Sequence, residues 1–232
     1  IDNPGPLPRK EETRNATMYP GNYPLLISLF PCFPVWGFNG SGTRSHRVVT
    51  TKANPLARAA DNVLSRDFGA EQPNQKWVAD VTYIGTASGW LYLAVVLDLF
   101  SRRVVGWAMA ATFDEKLVEQ ALSMALTQRK PAAGLLHHSD RGCQYTSEAY
   151  PSFLKKHGIQ VSMSRKGNCW DNAVMERFFG TLKREWTSRA HFKTHEEART
   201  TIFEYIEAFY NRVRKHSTLG YLSPVHFEII HS

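Results

Sequence analysis

Cysteine is scarce in this chain, and the three that occur, Cys32, Cys143 and Cys169, exclude a disulfide framework. No Cys-x-x-Cys or paired-histidine spacing points to structural zinc, and a reducing, cytoplasmic setting is the natural reading. No uninterrupted apolar run approaches the length needed to cross a bilayer, and no secretory signal is evident. The nearest candidate, the uncharged stretch between Arg14 and Arg44, is broken by Pro20, Pro24, Pro31, Pro34, Gly21 and Gly37. Internal repeats and low-complexity blocks are also missing. Acidic charge is in the minority: 28 Lys and Arg stand against 21 Asp and Glu, a formal +7. That balance favours a polyanionic partner but says nothing of the fold.

The 232 residues suffice for one full domain with appendages. Residues 1–42 are rich in Pro and Gly and lack helical or strand periodicity, so they read as a separate irregular segment, disordered by default. Residues 43–72 read as a basic, polar linker carrying Arg44, Arg47, Lys52 and Arg58, with a short helix-like stretch near Asp61–Leu64. Such a linker is either solvated or laid along phosphates. The core, residues 73–232, starts with strand signals at 77–85, 90–98 and 103–110. The nearly all-apolar run Leu91–Leu97 predicts a central strand covered on both faces. A helix over 114–128 follows, with Asp114 as its N-cap, then a strand over 134–138, a helix over 147–157 and a strand over 159–163. Three antiparallel strands followed by alternating helix and strand predict an α/β fold: a ribonuclease H-like mixed five-stranded sheet flanked by helices. A last helix is predicted from about His195 to Arg214, with Ile202, Tyr205, Ile206, Phe209, Tyr210 and Val213 on its apolar face.

Three carboxylates stand out by their surroundings. Asp80 lies inside an apolar strand pattern between Trp77 and Ile84, where a charge is poorly placed unless paired or metal-bound. Asp140 lies where a strand runs into Arg141 and Gly142, at the end of the sheet that ligands favour. Glu176 belongs to a helix beginning near Asp171, with Asn172 and Lys183 on the same face. Thirty-five residues separate Asp140 from Glu176. With this acidic content about one or two pairs fall at any given separation by chance, so spacing alone carries little weight. The types of residue fit a pair of Mg²⁺ ions and phosphodiester chemistry. Asp98 also ends a strand, but Arg102 and Arg103 follow in the turn, so a structural Asp–Arg contact is expected. His137 and His138 either touch substrate or pack inside.

From about Ser41 to Phe227 the chain resembles an insertion-sequence transposase of the IS-three-like family, with a retroviral-integrase-type catalytic core. The blocks that carry the resemblance are Pro73–Asp80, Leu97–Trp107, His138–Gly142, Gly167–Asn172, Glu176–Lys183 and Tyr210–Arg212, in the family's order. The resemblance implies a catalytic and metal-binding triad of Asp80, Asp140 and Glu176 with two Mg²⁺, and Mn²⁺ as a substitute. It implies cleavage of transposon ends and attack of a 3′-hydroxyl on target DNA, by a homo-oligomer assembled on DNA in a bacterial, nucleoid-associated setting. Lys183 matches the basic residue that the family places two helical turns past its Glu. Lys166, Trp170, Asn172, Arg177, Lys183, Arg212 and Lys215 are the expected DNA contacts. Trp170 could instead cap the core, and the Arg212–His216 cluster could merely suit a helix C-terminus. The family's helical DNA-binding segment has no counterpart in residues 1–42, and the chain begins with Ile. A truncated, frame-disturbed or fused N-terminus is therefore expected. The rival readings are an inactive DNA-binding fragment that interferes with a full-length transposase, and a nuclease that cuts without joining.

Overall fold

A computed structural model describes residues 59–147, 149–187 and 190–232. The expected irregular segment 1–42 and most of the expected linker lie outside the described residues. Alternation sets the sheet. β1 (Lys76–Thr86), β2 (Gly89–Asp98) and β3 (Val104–Ala110) form an antiparallel meander. β4 (Leu136–Ser139) joins β1 in parallel, and β5 (Gln160–Met163) joins β4 in parallel. The order is β3-β2-β1-β4-β5, the mixed five-stranded sheet expected from the element sequence.

Both faces are covered. Trp77, Ala79, Ala94 and Val96 pack under α1 (Glu115–Arg129) and α2 (Ala149–Lys156). Val78, Leu93, Val95 and Leu97 face α3 (Ala173–Leu182) and α4 (His195–Phe203). As expected, Asp114 caps α1 by accepting the Leu117 N–H at 3.1 Å. No helix among the described residues is long and apolar enough to cross a membrane.

Four features depart from the sequence expectations. α4 does not run on regularly to Arg214; it continues as a wider-wound π-helix, Glu204–Tyr210. The extra residue per turn accompanies an inward Asn211, which accepts the Val104 N–H at 2.9 Å and donates to the Val104 carbonyl at 3.0 Å. The β2–β3 ladder shifts register between Val96 and Leu97, and Asn211 satisfies the backbone left over there. α5 (Pro224–His231), capped by Ser223, was not separately expected. Residues 61–64 are not helical, and the end of the expected linker belongs to the core: Leu64 is buried, and its N–H donates to Ser162 Oγ at 3.0 Å. α3 starts two residues after Asp171, behind a 3₁₀ turn over Cys169–Asn172.

Gly106 in β3 allows α1 to sit directly against the sheet. A Cβ there would stand 2.2 Å from the Ala121 carbonyl oxygen and 2.8 Å from the Ala125 nitrogen, both backbone atoms. Gly106→Ala is therefore expected to cost about 1–3 kcal/mol by overpacking. Gly180→Ala in α3, where the new methyl meets nothing within 4 Å, is expected to be neutral or to stabilise by up to about 1 kcal/mol. Paired thermal melts of the two variants check this.

Candidate active site

β1 and β4 bring the first two carboxylates together. Val78 pairs with His138 in parallel register, so two further residues along each strand place Asp140 beside Asp80. Neighbouring strands lie about 4.8 Å apart. Asp80 is half-buried and its Oδ1 accepts the Val81 N–H at 2.7 Å. Asp140 is also half-buried, and its Oδ1 accepts the Gly142 N–H at 2.9 Å. A Cβ at Gly142 would stand 2.3 Å from the amide end of the buried Gln144 side chain, which would have to move to admit it.

α3 supplies the rest. Glu176 is exposed in its first turn, and Lys183 follows its last residue. The Lys183 ammonium lies 5.0 Å above the ring of Tyr83, on β1.

The electrostatics tie these groups together. Burial pushes the Asp80 carboxyl well above its ordinary range, and the charge of Asp140 pushes it further, with a smaller push from Glu176. The Val81 N–H and the Lys183 ammonium pull the other way. Asp140 is raised by burial against the Gly142 hydrogen bond, and Glu176 is raised by burial. Burial lowers Lys183 while Asp80 raises it. No ion pair among the described residues reaches Asp80, Asp140 or Glu176.

Asp171 is the contrast. Fully buried, it accepts from Arg165 at 2.8 and 2.9 Å, Arg66 at 2.9 Å and Asn62 at 2.8 Å, and these hold its carboxyl far below the usual range. This fold neutralises a structural carboxylate with arginine and leaves the three candidates without one. Carboxylate oxygens uncompensated by protein cations suit a hard divalent ion such as Mg²⁺ or Mn²⁺. As the side chains stand, no group of three carboxylate, imidazole or thiol ligands among the described residues is gathered tightly enough to grip such an ion. A shift of side chains, Glu176 on its exposed helix face above all, would have to close the set.

The remaining candidates divide. Lys166, Arg177, Arg212 and Lys215 are exposed, and so is Trp170, at 66%, which does not cap the core. Asn172 departs from its expected role facing DNA: it is buried, and its Nδ2 donates to the Ala79 carbonyl at 3.3 Å, bracing the strand beside Asp80. Its Oδ1 is buried with no partner among the described residues. Arg212 donates to the Glu207 carbonyl, and no hydrogen bond, ion pair or ring contact among the described residues ties Arg212 or Lys215 to the carboxylates. His137 and His138 are fully buried; the first meets Tyr150 at 3.2 Å and the second Ser162 and Ser164 at 2.8 and 3.1 Å. Burial drives their pKa values down to about 3 and about 4, so both are neutral packing residues. Asp98 is structural: its carboxylate accepts from the N–H groups of Asn74, Phe100 and the Trp77 ring, with Arg129 at 4.0 Å, while Arg102 feels its charge and the Arg103 carbonyl accepts its backbone N–H. The bracing role of Asp171 escaped the sequence reading; Arg165 six residues before it was the available signal.

Comparison with known proteins bears on the family and the fold. Two models, each described as an integrase core domain, match residues 70–169 and 157–224. The transposase InsF for insertion sequence IS3fB of Escherichia coli strain K12 is 44% identical over 221 residues, 95% of this chain and 75% of that protein. An insertion element IS600 uncharacterized 31 kDa protein of Shigella sonnei is 49% identical over 178 residues, 77% of this chain and 65% of that one. Among solved structures, the simian T-cell lymphotropic virus intasome aligns with a TM-score of 0.57 at 17% identity, over 77% of this chain and 61% of that chain. The HTLV-2 integrase catalytic core domain in complex with magnesium aligns with a TM-score of 0.53 at 16% identity, over 69% of this chain and 99% of that chain. At such identities the structures speak for the ribonuclease H-like fold alone. The sequence relatives carry the assignment: the chain belongs to the IS3 family of insertion-sequence transposases and contains their integrase-type core.

Proposed function

We propose that this chain cuts transposon ends and joins them to target DNA through a metal site made of Asp80, Asp140 and Glu176. The observation that carries the reading is the parallel register that sets Asp140 beside Asp80 with no ion pair to either among the described residues, so that Asp140 and Glu176 push the Asp80 carboxyl up against the Val81 N–H and Lys183. Asp80, Asp140 and Glu176 would hold a pair of Mg²⁺ ions, or Mn²⁺ in their place, which would supply Lewis acidity toward the phosphate and lower the pKa of the attacking hydroxyl.

The protein's own groups hold and orient. Asp80 and Asp140 are fixed by strand backbone and by the Val81 and Gly142 N–H groups, so their oxygens are positioned before DNA arrives. Lys183 stands where it can hold a phosphate next to the one attacked. Lys166, Arg177, Arg212 and Lys215 offer exposed cations for backbone phosphates, whose contribution falls as salt rises. The nucleophile is water for cleavage and a DNA 3′-hydroxyl for joining, so no Ser or Tyr of the chain need form a covalent link. Two DNA ends handled together call for a homo-oligomer, and a bacterial, cytoplasmic, nucleoid-associated setting follows from such a substrate.

The test is cleavage and joining of labelled DNA ends with Mg²⁺ or Mn²⁺. Joined product separates a transposase from a nuclease that only cuts. Glu176→Gln is expected to lose about a hundredfold or more in rate, since several kcal/mol of charge stabilisation depend on a complete ligand set. Metal-dependent activity that survives Glu176→Gln would place the site elsewhere. Binding without metal-dependent chemistry in the wild type would favour an inactive DNA-binding fragment.

A further inference from the structure

The hairpin that carries Asp80 ends in two large aromatic side chains that the core does not use. Tyr83 on β1 and Trp90 on β2 each remain 47% exposed. They meet edge to face, with ring centroids 5.0 Å apart and planes at 81°. Trp90 lies across Gly85, its partner in the ladder, with ring carbon Cζ3 3.4 Å from where a Gly85 Cβ would be. The bare strand there lets the indole lie against the backbone and turn its other side to solvent.

The hairpin beneath the pair is tied down at its turn. Ala87, in the turn of the hairpin, donates its N–H to the Phe192 carbonyl at 2.8 Å, and the Ser88 hydroxyl donates to the Lys193 carbonyl at 3.0 Å. The Lys183 ammonium covers the face of Tyr83 at 5.0 Å and also acts on Asp80. Lys183 thus acts on both Tyr83 and Asp80, without an ion pair to the carboxylate.

Chemistry selects the occupant. Tyr83 lies three residues past Asp80, so strand alternation turns the two side chains to opposite faces of β1, and Lys183 is the group that acts on both. A nucleobase offers a flat π face to an aromatic ring and a phosphate to a neighbouring cation, which is the combination present. An apolar protein surface would have to bury the Lys183 ammonium at a desolvation cost.

We propose that Tyr83 and Trp90 form a stacking shelf for unpaired bases of the DNA strand whose phosphate lies at the carboxylates, with Lys183 holding the intervening backbone. The shelf rests on the function proposed above. Because every base has a π face, it tolerates any sequence and senses whether the end is frayed.

The test compares binding of the full chain, without metal, to a labelled duplex ending in a short unpaired strand and to the same duplex made abasic there. Wild type is expected to bind the base-bearing end about tenfold more tightly. Trp90→Ala is expected to bind both ends alike, at the weaker affinity, with its salt dependence unchanged. Tyr83→Leu, which keeps an apolar side chain on the strand, is expected to lose much of the same preference. Lys183→Gln should instead reduce the salt slope by about one phosphate contact. Full preference retained in both aromatic variants, or no preference in wild type, would overturn the shelf. Metal-dependent cleavage of the same DNA, run alongside, keeps the two readings apart. Intact cleavage with no base preference removes the shelf and leaves the carboxylate site standing. Base preference without cleavage keeps the shelf on a chain that binds and does not cut.

Discussion

Asp80→Asn is expected to abolish metal-dependent DNA cleavage, by about a thousandfold or more, and at the same time to raise the melting temperature of the metal-free chain. The two effects have one cause. Asp80 is half-buried, carries no ion pair among the described residues and is repelled by Asp140 and Glu176. Ionised, it strains the folded state; a metal held by the proposed carboxylates would turn the same charge into binding energy. Asparagine keeps an oxygen to accept the Val81 N–H, so the strand is undisturbed while the charge goes. Each kcal/mol of repulsion relieved should raise the melting temperature by about 2–4 °C for a domain of this size.

The pH dependence fixes the sign. The folded-state pKa of Asp80 is raised above the ordinary 3.8, so the folded chain holds that proton more tightly than the unfolded chain does. The resulting stability is fully present below about 3.8 and is lost as pH rises through the raised value. The difference in stability between Asp80→Asn and wild type, measured without metal, should therefore grow from acid toward neutral pH. Added Mg²⁺ should stabilise wild type far more than the variant. If Asp80→Asn lowers the neutral-pH melting temperature and metal leaves wild type unmoved, Asp80 is a structural carboxylate.

Where local pattern decided the structure, the sequence was enough. The run Leu91–Leu97 allowed one role, a strand buried on both faces, and β2 is that strand. Asp114 before a helical apolar pattern capped α1 as its side chain requires. Asp80 stood out as a lone carboxylate among Trp77, Val78, Val81 and Ile84, and in the fold no ion pair among the described residues reaches it. What escaped depended on partners far away in the chain. Asn172 had the right helical spacing to join Glu176 and Lys183, but periodicity cannot say that its amide bonds Ala79, 93 residues earlier. The inward turn of Asn211 answers a register shift in the β2–β3 ladder more than a hundred residues away. His137 and His138 read the same as substrate ligands or packing residues until Tyr150, Ser162 and Ser164 closed around them. Connector residues Leu64 and Arg66 looked solvated because their partners, Ser162 and Asp171, lie on other elements.

The C-terminal helix tests the other half of this lesson, since its anchor was equally invisible in sequence. Glu228→Ala is expected to destabilise the fold by about 3 kcal/mol while leaving metal-dependent chemistry intact at temperatures where the variant stays folded. The Glu228 carboxylate is 7% exposed and accepts four hydrogen bonds: two from Arg129 at 2.9 Å, one from Arg103 at 2.8 Å and one from Ser101 at 2.7 Å. Those donors join the C-terminus of α1 to the β2–β3 turn. Arg129 reaches on to the Asn74 side chain at 2.8 Å, just before β1. Removing a buried ionic partner typically costs about 3–5 kcal/mol, because the remaining charge is left uncompensated. The lower end applies, since the Arg103 side chain is 32% exposed and recovers part of its hydration. Burial raises the Glu228 carboxyl, but the bonds from Arg129, Ser101 and Arg103 outweigh it and hold the group below the ordinary 4.5. Its contribution is therefore present above about 4.5 and lost as pH falls through the lowered value, opposite in sign to that of Asp80. Urea denaturation of Glu228→Ala, Arg103→Ala and the double variant measures the coupling. Strictly additive losses would mean that α5 is held by apolar contact such as Phe100 against Phe227, at 5.1 Å, and not by the ionic clamp.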